Sequence, residues 1–82
     1  MLSIEKQVIE IIHKYKNEIL DEGDWWYGLP DHSINVHCLA EDWEHPDAIF
    51  SINIYKVGAN GLDDYNSQYD LKPMTRREIR LA

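Results

Sequence analysis

The sequence predicts an α+β fold, a single small domain of order α-β-β-β-α. A three-stranded antiparallel sheet would carry the N-terminal helix on its apolar face. Three observations predict this. An apolar stripe at helical spacing runs from Ile4 to Ile19, two later segments alternate apolar and polar residues, and Asn60-Gly61 offers a hairpin turn. At 82 residues there is room for one core, and a chain this short buries only about 60–65% of its unfolded surface.

Residues 3–21 form the first predicted helix. Ile4, Val8, Ile11, Ile12, Tyr15 and Ile19 fall on one face of a 3.6-residue repeat. Ser3 can cap its start, and Gly23 supplies a stop. Residues 24–32, Asp-Trp-Trp-Tyr-Gly-Leu-Pro-Asp-His, read as an irregular connection, because Gly28 and Pro30 interrupt regular structure. A first strand is predicted at about 33–40, with Ile34, Val36 and Cys38 pointing one way and Asn35 and His37 the other. An acidic loop, Glu41 to Asp47, follows.

The second strand, about 49–59, has Phe50, Ile52 and Ile54 on its apolar face and Ser51, Asn53 and Tyr55 on the other. A two-residue Asn60-Gly61 turn needs φ > 0 at both positions and sets the register of a third strand at about 62–71. Ile52 then faces Tyr69, Asn53 faces Gln68 and Ser51 faces Asp70. Tyr65 and Tyr69 fall on the core side, and Asp64, Asn66, Gln68 and Asp70 on the open side. After Pro73, Thr75-Arg-Arg-Glu78 is a capping-box pattern that starts a short basic helix over 75–82. Two turns are too few to persist without support from the body.

Charge is segregated along the chain. Between Glu18 and Asp70 lie twelve acidic residues and one basic one, Lys56, while residues 71–82 hold four basic residues against Glu78. The net charge of −7 points to partners with basic surfaces and away from nucleic acid and anionic membranes. The single cysteine, Cys38, can form no internal disulfide, which points to a reducing, cytosolic setting. No apolar run approaches the roughly 20 residues of a membrane span.

Two aromatic and acidic clusters flank the first strand. One is Asp21, Glu22, Asp24, Trp25 and Trp26. The other is Glu41, Asp42, Trp43, Glu44 and Asp47. The structural role of such rings is to close the core. Their recognition role is to anchor a partner, where truncating a tryptophan often removes about 2 kcal/mol or more. Neighbouring residues of an extended stretch point apart, so one of Trp25 and Trp26 is expected inside and the other out. Trp43 is expected partly exposed. The basic tail is expected to fold onto the acidic body.

His32, His37, His45 and Cys38 lie within fourteen residues, but none of their spacings matches a zinc site, and His37 and Cys38 point to opposite faces. No metal or cofactor is expected. No Gly-rich phosphate loop is present. His37 beside Ser51 or Asp70 on the polar sheet face is the one conceivable hydrolytic or ligand-binding group.

The α-β-β-β-α order is shared with double-stranded RNA-binding domains, whose charge has the opposite sign. Small acidic domains that mimic nucleic acid, phage anti-restriction and anti-CRISPR proteins among them, are similar in size and charge only. The expected function is therefore a non-enzymatic acidic protein-binding module. One form would be an inhibitor or immunity-type protein docking on a nuclease. The alternatives are a small-ligand or hydrolytic site around His37, and a small homodimer.

Overall fold

The computed structural model describes residues 3–81, and at 65–67 the backbone alone. The elements are α1 (Ile4–Lys14), α2 (Lys16–Glu22), β1 (Asp24–Gly28), β2 (His32–Cys38), β3 (Ile49–Val57), β4 (Asp63–Thr75) and α3 (Arg76–Leu81). The strands form one antiparallel sheet in the order β1-β2-β3-β4. The class is the expected α+β, but the sheet has four strands, not three.

The additional strand is β1, in the stretch expected to be irregular. Asp24-Trp-Trp-Tyr alternates, with Trp25 buried and Trp26 exposed, and aromatic residues favour strands. Pro30 does not break this segment. It sits with Asp31 at the tip of a tight β1–β2 hairpin, where the Leu29 N–H donates to the His32 carbonyl at 2.7 Å. Proline presets the backbone angle such a turn requires.

The predicted helix 3–21 is divided at Tyr15 into α1 and α2. Its caps are as expected. Ser3 Oγ accepts from the Lys6 N–H at 3.3 Å, and Gly23 ends α2 in the left-handed region at φ 75°. Val8, Ile12, Ile19 and Leu20 join Trp25, Ile34, Val36, Phe50, Ile52, Ile54 and Ile79 in one buried cluster. Tyr15, Trp25 and Tyr27 close its β1 side, with ring centroids 5.1–5.7 Å apart.

The β3–β4 hairpin corrects the predicted register. Gly58 and Gly61 close the turn, with the Gly61 N–H on the Gly58 carbonyl and the Gly58 N–H on the Leu62 carbonyl. Gly61 has φ 78°, and no non-glycine residue among those described has positive φ. This is a three-residue loop with a glycine bulge, not a two-residue turn with both positions left-handed. Ile54, not Ile52, then lies opposite Tyr69, Asn53 opposite Asp70, and Ile52 opposite Leu71, with register shifts on either side. An edge strand can absorb such bulges because its outer groups owe no pairing.

The face assignment of Tyr69 is unchanged, since it pairs with Ile54. Yet Tyr69 sits at the rim, its hydroxyl donating to Glu5 of α1. The side chains of Tyr65, Asn66 and Ser67 lie outside the described residues.

The C-terminal helix is held by the body. Thr75 and Glu78 form the expected reciprocal capping box. The Thr75 N–H donates to Glu78 Oε1 at 3.0 Å, and the Glu78 N–H donates to Thr75 Oγ1 at 3.1 Å. Ile79 is fully buried. Arg76 donates from Nη1 to the carbonyls of Leu20 at 3.0 Å and Trp43 at 3.3 Å, with its guanidinium 5.4 Å over the Trp43 ring.

The two neighbouring tryptophans differ sharply, Trp25 being 3% exposed and Trp26 49%. Trp25→Ala should therefore cost about 3–5 kcal/mol of stability. Trp26→Ala should cost about 1 kcal/mol, the centre of the range for point substitutions. Denaturant unfolding midpoints of the two variants check this.

Candidate functional site

Alternation along four paired strands turns half of the sheet's side chains away from the helices. The buried residues of all three helices belong to the cluster on the opposite side. The open face is thus roofed by its own side chains. Its rows follow from the pairing: Trp26, Asn35, Asn53 and Asp70 across all four strands, then Asp24, His37 and Ser51. Gly28, Ser33 and Tyr55 form the row on the other side.

A continuous hydrogen-bonded lattice crosses this face. Asn35 Nδ2 donates to Asp24 Oδ1 at 2.8 Å and to the Trp25 carbonyl at 3.2 Å. That fixes the amide so that its Oδ1 meets His37 Nδ1 at 2.8 Å. An amide oxygen only accepts, so Nδ1 carries the proton of that bond. Ser51 Oγ donates to Asn53 Oδ1 at 3.1 Å, and lies 3.0 Å from His37 Nδ1 and 3.3 Å from Nε2. Asn53 Nδ2 and Gln68 Nε2 both donate to Asp70 Oδ1 at 2.7 Å.

Asn35 and Asn53 are buried although they lie on the open face. The Trp26 ring reaches across β2 to stack on Tyr55, with centroids 5.8 Å apart and planes 22° from parallel. A buried amide is costly unless satisfied, and both of these are. The hydrogen bonds from Gln68 and Asn53 hold the Asp70 carboxyl below its ordinary value.

The residues singled out from the sequence do not form one surface. Trp25 belongs to the core, and Asp24 and Trp26 to the open face. Asp21 and Glu22 are exposed at the end of α2, and Glu41, Asp42, Glu44 and Asp47 in the β2–β3 loop. That loop folds against α3, so Trp43 is half-covered by Arg76, and Asp47 pairs with Arg77 at 3.3 Å. The basic tail does neutralise part of the acidic body.

Sequence reasoning placed Asn35, Asn53 and Tyr55 on a solvated polar face, and missed that all three are buried and that Trp26 stacks on Tyr55. It also missed Leu39 and Ile49, which are 61% and 47% exposed. Continuing the alternation past His37 and Ser51 would have found both.

His37 lies on the open face, Cys38 is half-buried against the core, and His45 accepts from the Asp47 N–H in the loop. Among the described residues, no three His, Cys, Asp or Glu side chains converge as metal ligands, and no helix is long and apolar enough to cross a membrane. The chain matches no protein-family model, no curated protein and no solved structure.

Asp70 yields a pH prediction. Its folded pKa lies below its unfolded value, so its contribution to stability is present above the unfolded pKa and is lost as pH falls through the folded one. Unfolding midpoints of Asp70→Asn measured from about pH 6 to pH 2 should fall less steeply with acidification than those of the wild type.

Proposed function

We propose that this protein is a non-enzymatic binding module whose docking surface is the open face of the sheet. Its partner is a protein with a basic surface. The observation that carries the reading is Trp26, a large ring half exposed on a rigid strand and braced by Tyr55. Tryptophan anchors dominate interface energetics, and a ring already held in place loses little entropy on docking. Asp24 and Asp70 stand exposed at the two sides of the row system, and the chain as a whole carries −7. Opposite charge on the partner would speed association and make it salt-sensitive.

The His37 lattice supports recognition in preference to chemistry. A hydroxyl nucleophile must donate to the nitrogen of its base. Ser51 instead donates to Asn53, and its oxygen lies almost equally far from both ring nitrogens. The lattice fixes a shape.

Capture from a lysate of the source cells tests this. Wild-type protein should retain a basic partner at low salt and release it as salt rises. Trp26→Ala should weaken capture by about 30-fold, the equivalent of 2 kcal/mol. Asp24→Asn with Asp70→Asn should flatten the salt dependence, and His37→Ala, which removes no anchor, should weaken capture less than Trp26→Ala. Loss of function in a folded His37→Ala variant that still binds would favour the hydrolytic alternative.

A further inference from the structure

The open face has a second apolar prong. The Leu39 N–H donates to the Ile49 carbonyl at 2.8 Å, continuing the β2–β3 ladder one step beyond Cys38 and Phe50. Cys38 and Phe50 point to the core, so Leu39 and Ile49 point to the open side, where both are exposed. The face therefore has exposed apolar groups at two ends, Trp26 and the Leu39–Ile49 pair. Between them lies a polar strip whose amides already bond one another.

We infer that the occupant of this face is an amphipathic α-helix of a partner protein, with an apolar stripe and Lys or Arg on both flanks. The inference rests on the reading of the open face as a protein-docking surface. The backbone of a paired strand is committed to its neighbours, so the face offers side chains only. What covers a sheet face is a helix or a second sheet. A second sheet would press the whole polar strip under an apolar layer about 10 Å away, and that strip has nothing apolar to offer it. A helix meets both prongs along one line and leaves the strip's margins in water.

The spacing suits it. Trp26 is level with Asn35, and Asn35 to Leu39 is four residues of strand, about 14 Å. That is about nine residues of helix, so apolar residues at i, i+4, i+7 and i+11 span both prongs. The carboxylates of Asp24 and Asp70 lie on either side of this line, at β1 and β4. They complement cationic side chains on the two flanks of such a helix.

A random 20-residue peptide display library, panned on the intact protein, is the probe. Recovered peptides should carry the i, i+4, i+7 apolar stripe with Lys or Arg beside it, and turn helical on binding by circular dichroism. Trp26→Ala should lower their affinity about 30-fold, and Leu39→Ser with Ile49→Thr about 10-fold. Both variants alter partly exposed groups and should remain folded, with far-UV circular dichroism matching the wild type and the Trp26→Ala midpoint lowered only by the modest loss expected for that ring. Extended or proline-containing basic peptides that need Trp26 but ignore Leu39 and Ile49 would overturn the helix and leave the docking face standing. Peptides indifferent to Trp26, or none recovered, would overturn both. A concentration-dependent dimer abolished by Trp26→Ala would assign the face to a second copy instead.

Discussion

The pairing of β2 with β3 is the constraint on which the rest of this structure depends. Seven residues of β2 lie opposite seven of β3 without a break in register, from His32 with Lys56 to Cys38 with Phe50. Because the side-chain period is two, that single register assigns every neighbouring residue to one face or the other. Ile34, Val36, Phe50, Ile52 and Ile54 go to the core. Asn35, His37, Ser51 and Asn53 go to the lattice. A slip of β2 by one residue would turn Ile34 and Val36 outward and bury Asn35 and His37 under the helices.

The open face shows how a small domain keeps polar residues dry without penalty. Asn35 and Asn53 face each other across β2 and β3, and each amide finds its partners within the sheet. On the same face the Trp26 ring stacks on Tyr55. The unpaired alternative would cost about 1–3 kcal/mol for each orphaned group, so the lattice holds as a unit. The side chains of this face hold one another through these bonds.

Charge segregation has two different outcomes. At the α3 end, Arg76 spans α2 and the β2–β3 loop through two carbonyls and the Trp43 ring, while Arg77 meets Asp47 in an exposed pair worth about 0–1 kcal/mol. There the opposite signs serve internal docking of a helix too short to stand alone. On the sheet face, among the described residues, Asp24 and Asp70 accept hydrogen bonds from neutral amides and from no cationic group.

By itself the sequence determined the α+β class, the caps at Ser3, Gly23 and Thr75–Glu78, the faces of β2 and β3, and the divergence of Trp25 from Trp26. All of these follow from periodicity or local backbone chemistry, which act within a few residues. Only the tertiary structure decided the rest. Asp24–Gly28 became a strand because His32–Cys38 lay ready to pair with it, and that pairing outweighed the glycine and proline beside it. The register of β4 slipped by two residues because an edge strand can take up bulges at no loss to its neighbours. Trp43 was drawn to Arg76, 33 residues away in the chain, and Trp26 to Tyr55 across an intervening strand. Such contacts depend on which distant segments the fold brings together, and no local pattern of residues encodes that meeting.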